Sequence, residues 1–203
     1  LDLSEAIVAL PRGLGGPERQ AAMMLIDEVE KRTRIRWPSV EAWPEEGRPR
    51  IVVAQAEALA NLAPDAAALA QEAEAMGPEG YRLRAGRAGG TPVVWVIGKD
   101  ARGVLYGVGR LLRSLRMQPV CGGQPGSVAL AANLDIASAP RYRLRGHQLG
   151  YRDKTNSYCG WDLAQWEQYL RDLVVFGANA IELIPPRSDD EPSSVHFPAP
   201  PLE

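Results

Sequence analysis

Glu182 is the residue whose type and position most directly suggest chemistry. It interrupts an apolar run, residues 180–184, that is typical of a buried strand. A carboxylate on a strand covered on both faces needs a partner or a function, because burying an unpaired charge is costly. Arg145, on a neighbouring predicted strand, could supply an ion pair. A buried structural pair and a binding role for Glu182 therefore both stay open.

His147 is the second candidate, because it lies near the end of a predicted strand that opens a strand–helix–strand unit. In α/β proteins the carboxyl ends of parallel strands carry the chemistry. A binding role and a structural role for His147 both stay open. Neither His147 nor His196 has a second ligand at a metal-site spacing, and Cys121 and Cys159 stand far apart without a C-x-x-C pattern. We expect no metal and no cofactor.

A glycine-rich stretch, residues 13–16, lies between a predicted strand and a predicted helix, where phosphate-binding loops occur. No Lys-Ser/Thr follows it, and Pro17 removes an N–H donor, so the pattern favours a plain turn. Three arginines, Arg110, Arg113 and Arg116, lie along a later predicted helix, and such a stripe is typical of a solvated face.

The elements that must position these residues mix strands and helices along the first two thirds of the chain. Strands are predicted near residues 6–10, 51–54, 81–84, 92–97, 117–121 and 127–131. Helices are predicted after Pro17, over 61–76 with Pro64 suited to the start, and after an N-cap at Asp100. This order predicts an α/β (α+β) domain, a two-layer sandwich of a mixed sheet with helices, whose central strand at 93–97 is covered on both faces.

The pattern changes near Pro140. A strand over residues 143–149, a helix opened by Asp162 with Gln165 in the capping-box position, and a strand over 179–184 form one βαβ unit. Such a unit buries too little apolar surface to be stable alone. We therefore expect it to pack on the first domain or to belong to something longer.

Composition narrows the function classes. The chain has 203 residues, 45% of them apolar, which is enough for a folded core. Its 23 Lys and Arg balance 25 Asp and Glu, so nucleic acid is disfavoured as a partner. No apolar run approaches the ~20 residues of a membrane span. The chain starts at Leu1 rather than Met, and Leu202-Glu203 resembles a cloning scar, so we expect the natural frame to be longer.

Two stretches resemble a known group of enzymes. Residues 79–83, Glu-Gly-Tyr-Arg-Leu, and residues 96–107, Val-Ile-Gly-Lys-Asp-Ala-Arg-Gly-Val-Leu-Tyr-Gly, resemble the signature of the small domain that precedes the catalytic barrel in glycoside hydrolase family 20 and in the family 67 α-glucuronidases. Residues 140–146, Pro-Arg-Tyr-Arg-Leu-Arg-Gly, resemble the start of the first barrel strand of family 20 enzymes.

The resemblance implies a division of the chain. Residues 1–139 would be an accessory α/β domain, residues 140–201 a truncated start of a (β/α)8 TIM barrel, and residues 202–203 the scar. By the Arg-Gly match, Arg145 would hold hydroxyl groups of the terminal sugar, a task suited to a guanidinium. The chain departs from family 20 at Glu182, where that family usually has histidine, and in the loop over residues 151–160.

The same resemblance implies that the catalytic pair is elsewhere, because family 20 carries its Asp-Glu pair on a later barrel strand. The acids at 189–191 lie on a proline-rich tail without a rigid frame. We therefore expect no catalytic residue in this chain and three substrate-binding candidates: Arg145, His147 and Glu182.

The implied function is that of a non-catalytic N-terminal domain of a glycoside hydrolase. It would brace the chain's own catalytic barrel and be inactive as this fragment. Its partner would be the carbohydrate substrate of the parent enzyme, in a periplasmic or secreted location, without nucleic acid or membrane.

Two alternatives from other classes stay open. One is a free-standing carbohydrate-binding module or scaffolding domain, with a sugar platform formed by Trp37, Trp43 and Trp161, although burial of at least two of these rings is expected. The other is a nucleotide-dependent enzyme built on the turn at residues 13–16.

Overall fold

The computed structural model describes residues 1–44, 47–149 and 160–183. The chain divides into two compact units, Leu1–Arg141 and a second that begins at Tyr142. This division lies two residues from the predicted domain boundary, and the identity of each unit as accessory domain and barrel start stays a prediction. Cys159, His196, the acids at 189–191 and the proposed scar lie outside the described residues.

The first unit, called unit 1 below, is built on a six-stranded mixed sheet. The described strands of unit 1, including two outside this sheet, are β1 (Ile7–Ala9), β2 (Ser39–Val40), β3 (Arg50–Gln55), β4 (Tyr81–Ala88), β5 (Thr91–Gly98), β6 (Arg116–Gln118), β7 (Ser127–Ala129) and β8 (Asp135–Ser138). The sheet order is β2-β1-β3-β5-β4-β8, and β6 and β7 form a separate hairpin. Neighbouring strands run parallel from β2 to β5, whereas β4 is antiparallel to both β5 and β8.

The helices of unit 1 are α1 (Gly16–Thr33), α2 (Ala56–Leu62), α3 (Ala67–Glu74) and α4 (Ala101–Ser114), with a 3₁₀ turn at Pro64–Ala66. The helix predicted to start at Pro64 is present as the 3₁₀ turn at Pro64–Ala66 followed by α3, whereas α2, which ends before Pro64, was not predicted. Proline has no N–H to donate, and its ring clashes with the preceding turn of a continuing helix.

Alternation along the strands divides the core between two faces. Val52 and Ile97 are fully buried in a cluster with Leu59 of α2 and Leu69 of α3. Val96 points to the opposite face, where α4 packs on it. The central strand β5 is therefore covered on both faces, as predicted. The mixed α/β fold is confirmed, and helices on both faces add a third layer to the two that the sequence predicts.

The backbone of helix α4 packs directly against the backbone at the edge of the sheet, with no side chain between them. A Cβ atom added to Gly103 would lie 2.1 Å from the carbonyl oxygen of Gly80, and one added to Gly98 would lie 2.2 Å from the backbone nitrogen of Val104. One helical turn later, a Cβ on Gly107 would lie 2.9 Å from the side chain of Val96. Three glycines of the recognised motif are therefore required by packing, since no larger residue fits.

Asp100 fastens the same contact. Its Oδ1 accepts a hydrogen bond from the backbone N–H of Gly103 at 2.8 Å, which confirms the predicted N-cap. Its Oδ2 accepts from the backbone N–H of Glu79, also at 2.8 Å, where the chain turns with a φ of 61°. One carboxylate thus joins the start of α4 to the turn before β4.

A charged cluster ties α3 to the antiparallel edge of the sheet. Arg82 contacts Glu72 at 2.6 Å and also binds Asp135, and Arg84 lies 3.1 Å from Glu72 and 3.3 Å from Asp135. The hydrogen bond from Arg82 holds the pKa of both carboxyl groups below the ordinary value. This cluster joins α3, β4 and β8.

The second unit contains β9 (Gly146–Leu149), α5 (Leu163–Val175) and β10 (Ala180–Leu183). The two strands pair in parallel, so the predicted βαβ order is present, with β9 three residues shorter than expected. Asp162 and Gln165 form the predicted capping box. Within the described residues, no helix is long and apolar enough to cross a membrane.

We expect the substitution Gly103→Ala to lower the free energy of unfolding of unit 1 by about 3 kcal/mol, because overpacking against a backbone carbonyl cannot be relieved by a side-chain rotation. Urea unfolding measures the change. Gly16→Ala at the start of α1 is the matched control, since a Cβ there meets open space. Equal effects of the two substitutions would contradict the packing account.

We expect acid to weaken unit 1 through the Glu72–Asp135 cluster. Both pKa values are depressed in the folded state, so the unfolded chain binds more protons, and stability is lost as pH falls below the ordinary carboxyl range and through the lowered folded-state values. The double variant Glu72→Gln/Asp135→Asn should show a flatter dependence of the urea midpoint on pH. Glu5→Gln, an exposed carboxylate in a turn, is the control. An unchanged slope in the double variant would refute this role.

Candidate functional site

The second unit carries all three sequence-predicted binding residues, and the strand register places them. Glu182 is paired with Gln148, and Ile181 is paired with His147. Because paired residues on neighbouring strands share a face and successive residues alternate, Gln148 and Glu182 lie on one face and His147 on the other. Tyr169 of α5 contacts His147, so the helix lies on the His147 face. Gln148 and Glu182 thus lie on the face away from α5.

Glu182 is exposed, which corrects the expectation of a buried carboxylate. That expectation assumed cover on both faces of the strand, whereas α5 lies on only one. Arg145 precedes β9 and belongs to the His147 side of the alternation. The ion pair considered for Glu182 and Arg145 is therefore not formed.

Arg145 instead binds backbone groups at the amino ends of the two strands. Its Nε donates to the carbonyl oxygen of Gly177 at 2.7 Å, and its Nη1 donates to that of Tyr142 at 2.8 Å. Gly177 has a φ of 93°, a left-handed conformation that glycine adopts without strain. The guanidinium thus joins the segment before β9 to the turn before β10.

Asn179 completes this junction. Its Oδ1 accepts from the backbone N–H of Arg145 at 2.9 Å, and its Nδ2 donates to the carbonyl oxygen of Arg143 at 2.7 Å. Its own backbone N–H donates to the carbonyl oxygen of Arg145 at 2.9 Å. We call Arg145 and Asn179 together the register clamp, because their hydrogen bonds set how β9 and β10 align. The sequence predicts no role for Asn179, although an asparagine just before a strand was a usable signal.

His147 has a protein partner on the helix face. Its Nδ1 lies 2.5 Å from the hydroxyl of Tyr169, and the rings meet edge to face at 5.8 Å. Trp161 and Trp166 pack around Tyr169, and burial raises the pKa of that phenol. The protonated phenol can therefore donate a hydrogen bond to Nδ1 of His147 in the tautomer that leaves this nitrogen without a proton. These contacts give His147 a packing role, and its role as a sugar ligand stays a prediction.

The turn at residues 13–16 carries its own negative charge. Helix α1 starts there with Gly15 as N-cap, and a Cβ on Gly15 would lie 2.8 Å from the carboxylate of Glu18. Glu18 is 4% exposed and accepts a hydrogen bond from the side-chain amide of Gln55. A carboxylate already lies at the helix N-terminus, where a phosphate would have to bind. The geometry therefore disfavours the nucleotide alternative.

The three tryptophans considered as a sugar platform are not exposed rings. Trp37 is 2% exposed and donates from Nε1 to the carbonyl oxygen of Leu3 at 2.8 Å. Trp43 is half-buried and stacks on Trp95 with ring centroids 5.7 Å apart. Trp161 is half-buried and meets Trp166 at 5.2 Å. All three take part in packing.

Of the three arginines predicted to lie along one helix, the half-buried Arg110 and the exposed Arg113 lie on α4, whereas the exposed Arg116 begins β6. In residues 1–44, 47–149 and 160–183, no group of three or more His, Cys, Asp or Glu side chains is arranged to hold a metal ion.

We expect Asn179→Ala to loosen the second unit while leaving unit 1 intact. The substitution removes two side-chain hydrogen bonds, and the local opening free energy of β9 and β10 should fall by about 2 kcal/mol. Amide hydrogen exchange at residues 146–149 and 180–183 measures the loss. Asn133→Ala, in an exposed turn of unit 1, is the control. Unchanged exchange in the strand amides would show that Asn179 does not clamp them.

Residues 21–111 match the family model for the glycosyl hydrolase family 67 N-terminus. The matched segment lies within unit 1 and includes Gly80, Gly98, Asp100, Gly103 and Gly107. A search of curated proteins gives no match.

Solved structures share the fold. A GH20 exo-β-N-acetylglucosaminidase from Vibrio harveyi aligns over 88% of this chain and 22% of its own, with 15% identity and a TM-score of 0.57. A GH20 β-N-acetylhexosaminidase from Streptomyces coelicolor aligns over 87% and 29%, with 19% identity and a TM-score of 0.52. A GH115 4-O-methyl-α-glucuronidase aligns over 89% and 25%, with 14% identity and a TM-score of 0.55.

The chain thus spans between 22% and 29% of the length of these enzymes. The aligned share of this chain exceeds the part that unit 1 occupies, so the likeness extends into the second unit. At these identities the likeness establishes the fold. Together with the family match over residues 21–111, it supports a relationship of unit 1 to glycoside hydrolase N-terminal domains.

Proposed function

We propose that this chain is the front part of a glycoside hydrolase, in which unit 1 is non-catalytic and braces a catalytic barrel that the second unit begins. The observation that carries the proposal is the family match over residues 21–111. The glycines and Asp100 of the matched motif hold α4 to the sheet. Because these motif residues serve backbone packing and helix capping, they support a structural, bracing role for unit 1.

The acids of unit 1 also favour a non-catalytic role. Glycoside hydrolysis commonly needs two carboxyl groups on either side of a sugar, about 5 to 10 Å apart. Among the described residues the buried acids are Glu18 and Glu28. Glu18 accepts from Gln55, and Glu28 is paired with Arg32 one turn along the same helix. Both acids have structural partners.

The second unit has the character of an unfinished fold. Two parallel strands with one crossover helix form the repeating unit of a (β/α)8 barrel, and two strands alone make a marginal sheet. Leu163 is 84% exposed, Phe176 is 74% exposed, and no residue of α5 is fully buried. These apolar side chains support the proposal that further βα units pack here.

In a barrel the helices lie outside, so the face away from α5 would become the interior. Glu182 then remains the strongest substrate-binding candidate. Arg145 and His147 stay predictions as sugar ligands, since their described contacts are with backbone carbonyls and with Tyr169. A carbohydrate substrate of the parent enzyme, and a periplasmic or secreted location, belong to the same proposal.

Activity assays on two proteins test the proposal. We expect the 203-residue chain to release p-nitrophenol from aryl N-acetyl-β-glucosaminide and aryl glucuronide substrates no faster than buffer does. The protein translated from the uninterrupted gene should hydrolyse a glycoside. Turnover by the chain itself would overturn the non-catalytic role.

The gene sequence beyond the codon for Pro201 distinguishes the proposed function from the alternative one. Further βα repeats in one open frame would support a barrel enzyme. A natural stop codon there would favour the free-standing carbohydrate-binding or scaffolding module.

A further inference from the structure

We infer that Gln148 and Glu182 together form a binding surface for two neighbouring hydroxyl groups of a neutral pyranose. The inference rests on the proposed function and names the substrate contact of the same site. The two residues are register partners on β9 and β10. Side chains of paired residues on adjacent strands stand about 5 Å apart on one face.

Position favours this pair over the other polar residues of the second unit. Both residues lie in the carboxyl half of their strands, and active sites of (β/α)8 proteins form at the carboxyl ends of the strands. Arg145 and Asn179 lie at the opposite, amino ends, which in this architecture serve stability. His147 lies on the face that carries α5.

The unused hydrogen-bonding capacity of the two side chains also favours Gln148 and Glu182 as the binding pair. In the part of the chain that the structure describes, the side chains of Gln148 and Glu182 make no hydrogen bond or ion pair, and both residues are exposed. Arg145, Asn179 and His147 all have partners. The open face thus presents two unused polar groups, while the polar groups elsewhere in this unit hold the fold.

The chemistry of the pair suits a diol. A carboxylate only accepts hydrogen bonds, whereas a carboxamide both donates and accepts. Each hydroxyl of a vicinal pair can donate to Glu182 and accept from the amide of Gln148. The negative charge of Glu182 would repel the carboxylate of a uronic acid. The surface therefore fits the hydroxyl edge of a neutral pyranose ring.

The register clamp makes this surface possible. A slip of one residue would move Glu182 to the face that carries α5 and would separate it from Gln148. The hydrogen bonds of Asn179 to Arg145 and Arg143 oppose such a slip. Arg145 and Asn179 are positioning residues for the pair.

Nuclear magnetic resonance of the 203-residue chain at neutral pH tests the inference. Titration with methyl β-D-glucopyranoside should shift the side-chain amide of Gln148 and the backbone amide of Glu182. The variant Glu182→Gln should weaken the apparent affinity by at least about fivefold, because a charge-assisted hydrogen bond is lost. The exchanged variant Gln148→Glu/Glu182→Gln, which restores one acid and one amide, should recover the affinity to within about twofold.

Two controls make the result specific. Tetrahydropyran has the ring without the hydroxyl groups and should cause no shift at these residues. Gln168→Ala removes a half-buried glutamine of α5, which binds Asp172 on the same helix, and should leave the titration unchanged. The amide spectrum of residues 160–183 in each variant shows whether the second unit is folded.

The outcomes are separable from those of the proposed function. Absent shifts, shifts that survive Glu182→Gln, or equal shifts with tetrahydropyran would overturn the inference, even if the protein from the uninterrupted gene hydrolyses glycosides. Conversely, a sugar-dependent shift that requires Glu182 would support the pair, even if that protein proved inactive.

Discussion

The backbone contact between α4 and the sheet is the constraint on which unit 1 depends. Gly103 meets the carbonyl of Gly80 so closely that no side chain fits between them, and Asp100 bonds both the helix start and the turn before β4. Because α4 also packs on α1, the distance set at these glycines bears on the position of both helices. The motif typical of the glycoside hydrolase N-terminal domain is therefore a packing motif.

In the second unit the corresponding constraint is the register of two strands. Arg145 and Asn179 satisfy backbone groups at the amino ends, and the exposed pair Gln148 and Glu182 lies towards the carboxyl ends. Structural and available polar groups are thus separated along the same strands. This separation is expected of a barrel unit, in which one end supports the fold and the other contacts substrate.

Local signals in the sequence predicted local structure well. The N-caps at Asp100 and Asp162 are confirmed, because a capping side chain bonds groups only two or three residues away. The helix start at Pro64 is confirmed, but α2 before it was not predicted, since a proline fits a helix start and a helix break equally well by composition. No sequence signal predicts β8, whose half-exposed residues become a strand only by pairing with β4.

By itself the sequence determined the mixed α/β class, the glycine and aspartate motif, and the βαβ order of the second unit, because periodicity, caps and glycine spacing are written along the chain. The tertiary structure alone decided the use of each polar residue. Alternation says that His147 and Glu182 lie on different faces, but only the position of α5 decides which face is covered. Likewise, the arginine matched to a sugar-binding motif clamps the backbone in this fold, because the carbonyls of Gly177 and Tyr142 lie within hydrogen-bond distance of its guanidinium.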